Sequence, residues 1–85
     1  MSTEAERIRA FVIDTFLFGE GGDALGDEDS LLAQGIIDST GVLELAQYLE
    51  ETFEVKVADE ELVPENFDSI ANLATFVRRR RGEQG

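Results

Sequence analysis

The 85-residue chain is 42% hydrophobic, enough for one small core and too apolar for a disordered acidic tail. Its 19 Asp and Glu against 7 Lys and Arg give a net charge of −12, a field that repels nucleic acid phosphates and anionic lipid headgroups and draws in basic proteins. Cysteine and histidine are both absent, which excludes disulfides, thiol nucleophiles, imidazole bases and a zinc-ligand set, and makes a reducing cytoplasm the expected setting.

Residues 1–85 are expected to form one monomeric domain with a flexible tail at about 81–85. The opening "MSTEAERIRAF" carries acids and no long apolar run, so neither a signal peptide nor a membrane span is expected. The first helix opens at Thr3, with Glu6 three residues on in a capping-box arrangement. Ile8, Phe11, Val12, Thr15 and Phe16 recur at helical spacing and form its buried face. The glycines of "FGEGGDALG" end it. A connection of about twenty residues then runs to Asp38, long for a compact domain unless it is functional or tied down by its own apolar residues. Leu25, Leu31, Leu32, Ile36 and Ile37 are the residues available to tie it.

A second helix is predicted from about Ser39 to Phe53. Advancing about 100° per residue, Val42, Leu45, Ala46, Leu49 and Phe53 fall on one stripe, the core face. Thr40, Glu44, Gln47 and Glu51 fall opposite, and Leu43 lies at the flank, an apolar residue left partly outside the core. Val55-Lys56-Val57 alternates like a strand but has nothing to pair with, so it reads as an extended loop. It leads to a short third helix within residues 59–67, interrupted near Pro64. The fourth helix is expected to start at an Asp68 cap and to bury Ile70, Leu73, Ala74 and Val77. It should end in Arg78–Arg81, before Gly82, where cations complement the helix dipole. Without the four arginines and one acid of residues 78–85, 3 bases face 18 acids and the body stands at −15.

The chain lacks the side chains of most active centres. Acid clusters such as "GDEDS" do not match the acid spacing, central glycine and distal glutamate of a calcium loop, so no metal site is expected. Ser39 is the residue in question. Serine is a preferred helix cap. A helix N-terminus also stabilises a phosphate, through its free N–H groups and its dipole. Capping and attachment are both open for Ser39 on these grounds.

The stretch "LLAQGIIDSTGVLELAQYLEETFEVKVADEEL" resembles the core of acyl carrier proteins, and the resemblance extends from the amphipathic first helix to Val77. It implies an all-α, four-helix bundle of acyl-carrier type with a long helix I–II loop and a short helix III. It implies that Ser39 carries 4′-phosphopantetheine and that Asp38 is its motif neighbour. The family's recognition face maps onto Thr40, Leu43, Glu44, Gln47, Glu50 and Glu51. Thr40, followed by Gly41, stands where fatty-acid-synthesis carriers have a leucine after the serine. In this respect, and in "ELVPENFDSIANLATFV", the chain is more similar to D-alanyl carriers and specialised stand-alone carriers that receive amino acids.

The role so implied is that of a carrier, not an enzyme. A phosphopantetheinyl transferase, using coenzyme A and Mg²⁺, would attach the arm. An ATP-dependent acyl or aminoacyl ligase would load its thiol as a thioester, for delivery to a downstream acyltransferase or synthase. The arm supplies a reactivity that the cysteine-free chain lacks. Two other roles compete: a small acidic helical interaction module without a prosthetic group, in which Ser39 only caps, and an acidic ion-binding or regulatory protein.

Overall fold

The computed structural model of the chain describes residues 3–22 and 25–84. Among them run α1 (Glu4–Phe16), α2 (Ser39–Phe53), a 3₁₀ turn at Asp59–Glu61, α3 (Pro64–Phe67) and α4 (Ile70–Gln84). No described residue is in a strand. The fold is the all-α arrangement expected, with a long first connection and a short third helix.

Thr3 starts α1: its Oγ1 accepts the Glu6 N–H at 3.1 Å. Ile8 and Val12 are fully buried, while Phe11 and Phe16 pack at the edge of the core. At the other end the N–H groups of Leu17 and Gly19 both donate to the Ile13 carbonyl, and the chain turns through left-handed Phe18 and Gly19. The helix lies antiparallel to α4, because Glu4 at its start reaches Arg78 and Arg81 near the end of α4.

The first connection is tied down as expected by Leu25, Leu31 and Ile37, all buried, with Ile36 half-buried. Leu32 is the exception and lies exposed. Its neighbour Leu31 takes the inward position, so Leu32 is turned outward. Arg9 of α1 adds a second tether: its guanidinium donates to the carbonyls of Gly22 and Leu25 and pairs with Asp27.

On α2 the core stripe is Leu45, Ala46, Leu49 and Phe53, with Val42 half-buried at its margin. Val55 is buried after it, in extended backbone that pairs with no strand, so residues 55–57 form the loop expected. Pro64 stands where the third helical segment is interrupted, as expected, since the 3₁₀ turn ends at Glu61 and α3 starts afresh after Leu62 and Val63. It occupies the first turn of α3, where its missing N–H costs nothing.

Two boundaries of α4 differ from expectation. The Asn72 N–H at its start is taken by the Ser69 hydroxyl at 3.0 Å, so Ser69, not Asp68, caps. Asp68 closes α3 instead and turns its carboxylate to the first connection. At the far end the helix runs through Gly82 to Gln84. A helical glycine costs about 1 kcal/mol and does not by itself stop a helix. The expected tail is therefore helical as far as Gln84, and Gly85 lies outside the described residues. Ile70, Leu73, Ala74 and Val77 are buried as expected, and Phe76 joins them.

Candidate functional site

The start of α2 is built from the chain that precedes it. The N–H groups of Ile36 and Ile37 both donate to the Leu31 carbonyl, at 2.9 and 3.3 Å, and Ile37 is buried. This pins the backbone one residue before the cap of the helix. Asp38 follows in extended conformation, and its Oδ1 accepts the Gly41 N–H at 2.9 Å. The cap of α2 is thus Asp38, and Ser39 occupies the first helical position.

That placement frees the serine. The Ser39 side chain is exposed, and its hydroxyl forms no hydrogen bond among the described residues. It stands in the first turn of a 15-residue helix, where free N–H groups and the helix dipole favour a phosphate.

Gly41 explains part of the motif. A Cβ here would lie 3.0 Å from the Ile37 Cβ and 3.2 Å from the Phe16 Cε1. The absent side chain lets α2 approach the end of α1 and the strut at Ile37. The sequence sets this glycine after Thr40, the residue that departs from the fatty-acid-synthesis carriers, and the structure gives it a packing role.

Ser39 lies at the mouth of an apolar groove of about 350 Å³. Leu32, Val42, Leu43, Leu62, Val63 and Pro64 form its walls. Three segments distant in sequence meet there: the first connection, α2, and the entry to α3. An exposed hydroxyl on a helix N-terminus beside an apolar trough suits a phosphodiester-linked arm with an apolar end. The residues present therefore fit a covalent phosphopantetheine group.

The six residues mapped to a recognition face are all exposed. Five of them border two depressions that adjoin along Gln47 and Glu51. Leu43 borders the Ser39 groove and, with Gln47, Glu50 and Glu51, a second depression towards Val57 and Leu62. Glu44, Gln47 and Glu51 also rim a hollow on the other flank of α2, beside Phe11, Thr15 and Tyr48. Phe11 and Tyr48 stack there with centroids 4.0 Å apart. Glu50 has an internal task as well, since its carboxylate accepts the Val57 N–H at 3.0 Å. Thr40 stands next to Ser39 on the exposed side.

Sequence reasoning missed the far wall of the groove. Leu62, Val63 and Pro64 belong to it, and Leu32, expected to tie the first connection down, lines the near side. The available signal was Pro64, whose preference for a first helical turn would have pinned Val63 as extended and Leu62 as a groove residue.

Comparison with known proteins agrees with this geometry. A family model described as "Phosphopantetheine attachment site" matches residues 16–77. The chain is 36% identical over 69 residues to the D-alanyl carrier protein of Streptococcus uberis, across 79% of this chain and 86% of that protein. It is 31% identical over 72 residues to "Probable acyl carrier protein PigG" of a Serratia species, across 82% of each. The fold is similar to the solution structure of a holo acyl carrier protein from Nitrosomonas europaea. The TM-score is 0.78 at 28% identity, covering 95% of this chain and 99% of that one.

Proposed function

Since this chain belongs to the family of carrier proteins with a phosphopantetheine attachment site, we propose that Ser39 holds the arm and that the chain presents acyl or aminoacyl groups to partner enzymes. Its cofactor is covalently attached 4′-phosphopantetheine. When bound, that group supplies the terminal thiol on which acyl groups are held as thioesters. The chain's own residues do the holding and the presenting.

One observation carries this assignment: an unengaged, exposed serine hydroxyl in the first turn of α2, at the mouth of an apolar groove. Asp38 leaves the hydroxyl free by capping the helix itself. The first-turn N–H groups stabilise the phosphate. Val42, Leu43 and Leu62 offer apolar surface to whatever the arm carries, and no residue of the chain needs to act as acid, base or nucleophile.

The cargo we propose is an amino acid or another small acyl group. Thr40-Gly41 after the serine supports this, and so does the likeness to a D-alanyl carrier. An ATP-dependent ligase would load it, and a downstream acyltransferase or synthase would receive it. Thr40, Leu43, Glu44, Gln47, Glu50 and Glu51 provide the docking face. Basic partners would be drawn to it mainly through faster association, which suits brief exchange between enzymes. The protein would work as a cytoplasmic monomer.

Incubation with coenzyme A, Mg²⁺ and a broad-specificity phosphopantetheinyl transferase, read by intact mass and peptide mapping, tests the assignment. One arm should be added, on the peptide containing Ser39. Addition that persists in Ser39→Ala would place the site elsewhere.

A further inference from the structure

Asp68 is predicted by sequence to cap α4, and Ser69 does so in its place. What Asp68 does instead links the two sides of the Ser39 groove. Its Oδ2 accepts the Ser30 hydroxyl at 2.7 Å and its Oδ1 accepts the Leu32 N–H at 3.0 Å. Its carbonyl accepts the Leu31 N–H at 2.6 Å. One residue therefore holds three consecutive residues of the first connection.

The same residue is fixed to the opposite wall. The Asp68 N–H donates to the Pro64 carbonyl at 2.9 Å and closes α3, whose first residue lines the groove together with Val63. Leu32 lines the near side. The hold also passes on along the chain, because the Leu31 carbonyl receives the N–H groups of Ile36 and Ile37. Ile37 precedes the Asp38 cap and Ser39. From Asp68 to the base of the attachment residue there are two hydrogen-bonded steps.

We propose that Asp68 is a positioning residue that sets the separation of Leu32 from Val63-Pro64 and so determines which attached groups the groove shelters. This rests on the carrier reading of Ser39. The backbone bond from Leu31 to the Asp68 carbonyl survives any substitution at 68. Within the turn the Gly35 N–H donates to the Leu32 carbonyl at 3.1 Å, but it is the side-chain bonds of Asp68 that tie residues 30 and 32 across to the junction of α3 and α4, and Leu32 is exposed, with no core packing to add to them. Ser30 is the matching half of the clamp, since its hydroxyl also accepts the Ala33 N–H at 3.0 Å.

Two measurements on Asp68→Ala, Asp68→Asn and Ser30→Ala test the proposal. In the apo protein, methyl NMR shifts report the groove directly. Those of Leu32, Leu62 and Val63 should move in Asp68→Ala, while those of the core residues Leu73 and Val77 stay in place. Asp68→Asn keeps an acceptor for Leu32 and should restore most of the pattern. In the second measurement a transferase installs acetyl-, butyryl- or hexanoyl-pantetheine from the corresponding coenzyme A thioesters. Hydroxylamine then cleaves each thioester to a hydroxamate and a free thiol, followed by intact mass. Wild type should protect the longer chains, and the hexanoyl-to-acetyl protection ratio should fall towards one in Asp68→Ala and, to a smaller degree, in Ser30→Ala.

Shifts confined to the amides of residues 30–33, with groove methyls and protection ratio unchanged in a folded Asp68→Ala protein, would overturn the proposal. Ser30→Ala removes the bond to Asp68 and the one from Ala33 but leaves the Leu32 N–H on the Asp68 carboxylate, and keeps the test decisive should Asp68→Ala not fold. An absence of any transfer to wild-type Ser39 would refute the carrier reading instead, and the methyl shifts would still decide the role of Asp68.

Discussion

Gly41 and Phe16 approach so closely that a methyl on the glycine would lie 3.2 Å from the ring edge. The contact joins the first turn of α2, which carries Ser39, to the last residue of α1. On the other side, the same methyl would meet the Ile37 Cβ at 3.0 Å. The Phe16 ring is half-buried and can turn aside. The Ile37 Cβ cannot, because its backbone is tied to Leu31.

Gly41→Ala should therefore destabilise the protein despite alanine's better helix propensity. Propensity favours the change by about 1 kcal/mol, while overpacking costs about 1–3 kcal/mol. A net loss of about 1 kcal/mol lowers Tm by about 4–8 °C for a domain of this size. Thermal melts measure it, and a rise in Tm would show that Ile37 yields.

Removing the cap should be felt as strongly as crowding the turn. Asp38→Ala leaves the Gly41 N–H without its acceptor and should cost about 0.5–2 kcal/mol. Asp38→Asn keeps an oxygen in the same place and should cost far less. Urea midpoints on the two variants separate capping from charge: equal losses would mean that the carboxylate charge, not the hydrogen bond, matters.

Leu43 and Leu49 sit six residues apart on α2 and should respond in opposite ways. Leu43 is 58% exposed and Leu49 fully buried. Leu43→Ala should change stability by no more than about 0.5 kcal/mol, whereas Leu49→Ala should cost about 2–5 kcal/mol. Loading by a cognate ligase, corrected for folded fraction, should fall in Leu43→Ala and hold in Leu49→Ala. The reverse pattern would move the docking face off Leu43.

Glu4 gives the fold a pH dependence of definite sign. Its carboxyl is held below the ordinary value of 4.5, first by a backbone hydrogen bond at its own residue. A hydrogen bond from Arg78 and the charges of Arg78 and Arg81 act in the same direction, against partial burial. A depressed carboxyl stabilises the fold above about pH 4.5, and that contribution is lost as pH falls through the lower folded-state value. Glu4→Gln should be less stable than wild type at pH 7, and the gap should close on acidification below 4.5. Urea unfolding of both proteins across that range measures it, and a gap independent of pH would dismiss the carboxylate.

Much of α2 was legible because its signals are local. The stripe from Val42 to Phe53, the acids opposite and the outlying Leu43 follow from helix periodicity alone. Thr3 was legible for the same reason, as a cap directly before an amphipathic run. Asp68 was not, because two adjacent residues could each cap α4, and the choice fell to Ser69 only through Asp68's bonds to Ser30 and Leu32, 38 and 36 residues away. Leu32 reads like Leu31 as a residue available to tie the connection, since the two are equally apolar. Which of the two turns inward depends on hydrogen bonds from another part of the chain. Gly82 reads as a stop, but with no proline after it the helix simply continues.

The ion pairs from Glu4 to Arg78 and Arg81 close the chain into a ring, since partners 74 and 77 residues apart in sequence touch. The first turn of α2, which carries Ser39, meets the other end of α1 where Gly41 faces Phe16, and thirteen helical residues at about 1.5 Å each put roughly 20 Å between the two ends of α1. A linker or a surface anchored at the Glu4–Arg81 pole would leave the arm on the far side, free to swing. Cutting the ring elsewhere and joining residues 4 and 81 through a short bridge should preserve the fold. Circular permutation in the exposed turn around Gly19–Gly21 would then give a carrier spliced into another protein's loop with its attachment residue facing outward.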